Sequence, residues 1–215
     1  MTKPILYTYW RSSCAWRVRI ALNIKGIDYE QRPVNLVTKS GSAADECYAL
    51  NPAQKVPVFV HEGNSITESL AIIEYIDEVF PGPRLLPTDP VLRAKARAIA
   101  LHIAAGIQPL QILRVMQKLD AEKEGSGAEW SKYWLTEGLK ELEELLDGTA
   151  GKFAVGDELS IADLCIPSIL YNGRRWGASL SSLPILLRLD ASLALLPPFL
   201  NAIPDSQPDA PVNTN

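Results

Sequence analysis

Ile5-Leu6-Tyr7-Thr8-Tyr9-Trp10-Arg11-Ser12-Ser13-Cys14-Ala15-Trp16-Arg17-Val18-Arg19-Ile20-Ala21-Leu22-Asn23-Ile24-Lys25-Gly26 reads as a strand that runs directly into a helix. Its first six residues are β-branched, aromatic or leucine, the types that fit a pleated, half-buried surface. From Ala15 onward the apolar residues Trp16, Val18, Ile20, Ala21, Leu22 and Ile24 recur at helical spacing. The serines supply a helix N-cap, and Lys25-Gly26 supplies the stop.

The same alternation continues outward. Tyr29 to Leu36 is a second extended run, and Ala43 to Leu50 reads as a helix ending at Asn51-Pro52. Val56-Pro57-Val58-Phe59-Val60 and Ser65-Ile66-Thr67 make two short strands around the turn Glu62-Gly63-Asn64. Glu68-Ser69 then opens a helix carrying Leu70, Ile72, Ile73, Tyr75 and Ile76, which ends near Phe80-Pro81. The order is βαβαββα. Pro81, Pro83, Pro87 and Pro90 make the next stretch a semi-rigid connector. The expected division is a first domain over residues 1–82, a linker over 83–90 and a helical domain over 91–215.

Beyond the linker the strand signals stop. A long helical pattern from Leu92 to about Leu119 contains Pro109, which should kink or break it. A second helix is expected from about Glu129 to Leu146, after a Gly125-Ser126-Gly127 loop. A third starts at Ser160-Ile161-Ala162-Asp163, a capping box with Asp in place of the usual Glu. The remainder, with Pro184, Pro197 and Pro198, reads as short helices, and Pro204 to Asn215 as a polar tail that frays or packs late.

The 215 residues, 47% hydrophobic and 21% charged, suffice for a sizeable core without staples. With 21 basic against 25 acidic residues, no cationic footprint for nucleic acid or anionic membrane is present. No uninterrupted apolar run approaches the ~20 residues of a membrane span, and residues 1–9 lack the apolar core of a signal peptide. The expectation is a soluble, cytoplasmic protein. Cys14, Cys47 and Cys165 are an odd number without a CxxC pair, which suits a reducing compartment. Neither they nor His61 and His102 have metal-ligand spacing.

Chemistry concentrates at the ends of the early strands. Ser12, Ser13 and Cys14 stand where the first N–H groups of a helix point outward and the dipole is positive, a place that stabilises an anion. Plain capping by a serine with Cys14 as a small buried apolar residue fits the same spacing. Val56-Pro57 opens a strand; only ~5–6% of X–Pro bonds in folded proteins are cis, so trans is expected from the sequence alone. Ser69, after Glu68, is either a cap or a donor to a ligand carboxylate.

Together these segments resemble the glutathione transferase fold, and Ser12-Ser13-Cys14-Ala15-Trp16-Arg17-Val18-Arg19-Ile20-Ala21-Leu22 resembles its zeta class. The likeness extends through Ala49-Leu50-Asn51-Pro52, Lys55-Val56-Pro57, Glu68-Ser69-Leu70-Ala71, Arg84-Leu85-Leu86-Pro87, Gly106-Ile107-Gln108-Pro109-Leu110-Gln111, Gly156-Asp157-Glu158, Ala162-Asp163-Leu164 and Gln207-Pro208-Asp209. The resemblance implies a thioredoxin-like domain that holds glutathione and an all-helical domain that covers a second substrate. It makes Ser12 the donor to the glutathione sulfur, helped by Ser13, with Cys14 beside it. It places Val56 against the cysteinyl backbone with Pro57 cis, Glu68 and Ser69 at the γ-glutamyl end, Gln108 reaching in from the helical domain, and Gln54 as a weaker contact. Arg11, Arg114 and Arg175 become the grips for the carboxylates of a dicarboxylic substrate. The activity implied is glutathione-dependent cis–trans isomerisation of maleylacetoacetate by a homodimer. Isomerisation of maleylpyruvate and glutathione transfer or dehalogenation of α-halo acids are the alternatives.

Overall fold

The computed structural model describes residues 2–38 and 42–211. Its elements follow the βαβαββα order: β1 Ile5–Thr8, α1 Ser13–Ile24, β2 Glu30–Pro33, α2 Ser42–Leu50, β3 Val58–His61, β4 Asn64–Thr67 and α3 Ser69–Val79. The sheet order is β2-β1-β3-β4, with β1 and β2 parallel and the other neighbours antiparallel. Side chains alternate across a strand. Tyr7 and Val58 therefore share one face, packed with Val34, Ala44, Cys47 and Val56 beneath α2, while Leu6 and Phe59 point to the other. α1 is buried on nearly all sides, and its core includes two arginines, Arg17 and Arg19, at 0% and 1% exposure.

The register brings three segments to one end of the sheet. Tyr7 pairs with Val58, and Val58 with Thr67. The exit of β1 into Ser12, the entry to β3 from Val56-Pro57 and the exit of β4 into Glu68-Ser69 thus share that edge.

A second compact unit runs from Leu86 to Leu195. It contains α4 Pro90–Leu101, a π turn His102–Ile107, a 3-10 turn Gln108–Gln111, α5 Leu113–Glu122, α6 Ser126–Asp147, α7 Ile161–Trp176 and α8 Pro184–Leu193. Pro109 falls inside the 3-10 turn, and Ile112 is extended at φ −74°, ψ 151°, so the long pattern is broken as proline chemistry requires. The whole stretch Pro90–Glu122 is nonetheless long and apolar enough, by length and composition, to span a membrane, with a window of mean hydropathy 1.3. Counting uninterrupted apolar runs missed this because His102, Gln108, Gln111 and Arg114 divide the stretch. Part of its apolar surface is core: Ile99, Ile103 and Ile107 are buried, whereas Val91, Leu92 and Leu101 are exposed. A Cβ on Gly138 of α6 would lie 2.6 Å from Ile107 Cγ1, so only glycine admits this close approach of the π turn.

α6 starts at Ser126, three residues before its expected start, behind Gly125 in the left-handed region. Asp163 seats α7 as expected: its carboxylate accepts from Ser160 N at 2.9 Å and Ser160 Oγ at 3.2 Å, and also from Ala154 N at 2.8 Å. Burial pushes the Asp163 carboxyl up to about 6 against the pull of these donors. Glu143 of α6 accepts from Ile185 N and Leu186 N at the start of α8.

The expected domain limits need redrawing. The first unit extends to Leu85, and residues 196–211, assigned from sequence to the helical domain, pack with the first unit. The short helix α9 Pro197–Leu200 is held there by α1, whose Asn23 Nδ2 donates to Pro198 O at 2.9 Å and whose Arg19 donates to Ala202 O. The tail is correspondingly ordered through a 3-10 turn at Pro204–Ser206 as far as Pro211; residues 212–215 lie outside the described residues.

Candidate active site

β1 ends at Thr8, two residues before its expected end, and the chain turns through Tyr9, Trp10 and Arg11 into α1. Ser12 is the N-cap: its Oγ accepts from Ala15 N at 3.3 Å, and its own N–H donates to Tyr9 O at 3.0 Å. A hydroxyl that accepts through a lone pair keeps its proton for donation, and the helix terminus around it favours negative charge. Capping and anion stabilisation, open alternatives in the sequence, are compatible in one residue. Ser13 is buried and Cys14 half-buried, with Arg17 Nη2 4.0 Å from Cys14 Sγ. Cys47, the other thiol of this unit, is buried, and that burial pushes its pKa up to about 11, away from thiolate chemistry.

The Val56-Pro57 bond is cis, against the expectation from base frequency and in line with the family resemblance. Among the described residues, three non-glycine residues have positive φ: Gln54 at 54°, Glu62 at 49° and Glu68 at 64°. Glu62 belongs to the β3–β4 turn, where such a conformation is ordinary. Glu68 combines its φ with ψ 115°, outside the left-handed basin, and this strained backbone places Ser69, buried, at the first residue of α3. Ser12, Ser13, Cys14, Val56, Pro57, Glu68 and Ser69 therefore gather at one sheet end, with Gln54 exposed just ahead of Val56. Arg11 joins them, its guanidinium 5.0 Å from the Trp10 ring centroid.

The remaining candidates belong to the helical unit. Gln108, half-buried, and Arg114, exposed, flank the break at Ile112. Arg114 stands in the first turn of α5, where a cation meets the positive helix end and no acidic residue offsets it. Arg175 lies in the last turn of α7, 4.5 Å from the Trp176 ring centroid, beside Arg174, which pairs with Asp190 at 2.6 Å.

The N-terminal domain of glutathione S-transferases matches residues 3–78. A probable maleylacetoacetate isomerase of Caenorhabditis elegans is 50% identical over 98% of both chains. The crystal structure of maleylacetoacetate isomerase from Anaeromyxobacter dehalogenans, with GSH bound in its active site, aligns with TM-score 0.87 at 40% identity, over 97% of this chain and 98% of that one. The chain belongs to the maleylacetoacetate isomerase family. Maleylpyruvate isomerase from Pseudomonas aeruginosa is also similar, at 36% identity and TM-score 0.81 over 96% of this chain and 99% of that one.

Three residues of this family member carry structural weight that spacing alone did not reveal. Arg17 and Arg19 are two cations among the apolar residues of α1, a signal that could have marked them as buried and hydrogen-bonded. Arg17 Nε donates to Ser13 O at 3.3 Å. Arg19 donates to Thr8 Oγ1 at 3.1 Å, Tyr9 O at 3.4 Å and Trp10 O at 2.9 Å, fixing the turn before Ser12. Asp209 accepts from Trp10 N at 2.8 Å, a contact across 199 positions that no local pattern encodes.

Proposed function

We propose that this chain is a glutathione-dependent cis–trans isomerase acting on maleylacetoacetate, and that Ser12 is its principal anion-stabilising residue. The observation that carries the reading is the Ser12 hydroxyl, capping α1 at the sheet end where Val56, Glu68 and Ser69 also converge. In the Anaeromyxobacter dehalogenans relative GSH is bound in the active site, and another structure of that protein holds dicarboxyethyl glutathione and citrate. The residues present here fit glutathione: a hydroxyl proton not needed for capping and a positive helix end suit its sulfur, and the Val56 backbone, Glu68 and Ser69 suit its peptide and γ-glutamyl parts.

Bound glutathione supplies a thiolate that adds reversibly to a conjugated cis alkene, allowing rotation about the resulting single bond before the thiolate leaves. Ser12 donates its hydroxyl proton in a hydrogen bond to the sulfur and lowers the cost of its negative charge, with Ser13 and the α1 terminus adding to the field. Cys14 flanks this position. Gln108 contributes to glutathione binding from the helical unit. Arg11, Arg114 and Arg175 bind substrate carboxylates and offset the charge of the enolate-like stage. Arg114 suits this role best, because an anion at the start of α5 relieves an otherwise unfavourable placement.

Maleylpyruvate is the second reading, supported by the similarity to the Pseudomonas aeruginosa isomerase. The two separate in one assay: purified protein with each substrate, with and without catalytic glutathione, followed by absorbance and by titration of free thiol at the end. Glutathione-dependent loss of maleylacetoacetate with thiol fully recovered is the expected result. Preferential turnover of maleylpyruvate selects the second reading, and stoichiometric thiol loss overturns isomerisation in favour of conjugation. We propose a homodimer, supported by Val91, Leu92 and Leu101 exposed on α4, and a cytoplasmic location, supported by three cysteines in thiol form.

A further inference from the structure

The motif Gln207-Pro208-Asp209 has no place in the chemistry above, yet it is tightly built into the first unit. Gln207 is buried; its Nε2 donates to Asn201 O at 3.2 Å, Ile203 O at 2.8 Å and Ser206 Oγ at 3.2 Å, and its Oε1 accepts from Gln31 Nε2 of β2 at 3.3 Å. This folds the tail into a turn against the sheet edge and delivers Asp209 to the loop between β1 and α1. There Asp209 Oδ2 accepts from Trp10 N at 2.8 Å, while Oδ1 is buried with no hydrogen-bond partner among the described residues. A buried carboxylate oxygen left without a donor costs free energy, so its presence here calls for an explanation.

Arg19 holds the same loop through its carbonyls. Its guanidinium donates to Tyr9 O and Trp10 O and, at 3.0 Å, to Ala202 O at the root of the tail. Burial pushes Arg19 down to about 10, partly countered by Tyr29 and Asp209, so it stays charged at neutral pH. Both backbone groups of Trp10 are thus held, its N–H by Asp209 and its carbonyl by Arg19. Tyr9 O, which Arg19 also holds, accepts from Ser12 N.

From this chain of contacts we infer that Asp209 is a positioning residue for Ser12: the carboxyl-terminal turn sets the loop so that the Ser12 hydroxyl meets the glutathione sulfur. The inference rests on the role given to Ser12 above. Misplacing a catalytic group by about 1 Å can cost on the order of 100-fold, so a partly released loop should cost about 10-fold.

The test titrates bound glutathione by thiolate ultraviolet absorbance in the wild type, Ser12→Ala, Asp209→Ala and Asp209→Asn, alongside thermal unfolding. Asp209→Ala should raise the apparent pKa of the bound thiol by about one unit, a roughly 10-fold loss of thiolate. Asp209→Asn keeps an acceptor oxygen for Trp10 N and should recover most of that loss. A lowered melting temperature with an unchanged thiol titration in Asp209→Ala, beside a shifted one in Ser12→Ala, overturns the inference alone. An unshifted Ser12→Ala overturns the reading beneath it. Should Asp209→Ala fail to fold, hydrogen exchange on the wild type decides: binding that depends on tail docking must in return strengthen docking. Glutathione should then slow exchange of the amides from Ala202 to Ala210, and unchanged exchange there overturns the inference.

Discussion

The two segments that carry candidate residues, one in each unit, are anchored differently. The loop before Ser12 is held by a fully buried arginine, by a carboxylate from the far end of the chain and by its own turn. The segment carrying Gln108 and Arg114 is a helix interrupted by a π turn, a 3-10 turn and the extended Ile112. The indole of Trp130 pins it by donating to Leu110 O at 2.8 Å, while Gln111 Nε2 is buried with no hydrogen-bond partner among the described residues. The contrast matches the roles proposed for the two segments. Activating a sulfur needs one donor in one place, whereas gripping different dicarboxylates calls for a segment whose backbone can be re-aimed by few substitutions.

The largest effect expected from this contrast is at the rigid segment. Ser12→Ala should lower turnover by about 10-fold to 1000-fold, the range for removing one anion-stabilising donor, as read from kcat at saturating substrate. An unchanged kcat removes Ser12 from the chemistry.

Asp163→Asn asks whether the helical unit has a rigid platform of its own beneath its adaptable segment. The folded carboxyl titrates near 6 and the unfolded one near 3.8, so the folded state binds the extra proton between those values. The associated stabilisation is complete below about pH 3.8 and is lost as pH rises through 6. The gap in unfolding free energy between wild type and variant should therefore shrink, by on the order of 3 kcal/mol, across that window and stay flat above it. Urea midpoints measured at intervals of pH check this; a gap constant with pH shows that Asp163 is ionised throughout.

Arg114→Ala should raise KM for the dicarboxylic substrate by about 10-fold, the scale of one charge-assisted hydrogen bond, and leave KM for glutathione alone. A matching loss in both constants would erase the division of labour between the segments. Trp130→Phe, which removes only the N–H to Leu110 O, should produce the smallest change, a KM increase of about 2-fold to 5-fold on the same substrate. If it instead lowers kcat as Ser12→Ala does, the segment is as tightly coupled to the chemistry as the loop.

Local chemistry made much of this legible. The alternation of β-branched runs with helical stripes spelled out βαβαββα, Ser12 stood at the start of α1, Pro109 marked the break, and Ser160 with Asp163 marked the start of α7. What stayed hidden depends on distant partners. β1 stops at Thr8 because Tyr9 and Trp10 turn into a loop whose carbonyls are taken by Arg19, and the tail packs with the first unit through Ala202 O, bound by an arginine 183 positions away. The cis bond at Pro57 and the positive φ of Glu68 are fixed by tertiary context, which neither residue type announces.

The return of the tail to β1 also orders events during synthesis. Ribosomes deliver a chain from its amino terminus, and domains form as units while they emerge. Here Asp209 is made 199 residues after Trp10, so the β1–α1 turn waits for the whole intervening helical unit before it is complete. A nascent chain stalled in the helical half carries every residue of the Ser12 loop and none of its carboxyl-terminal support.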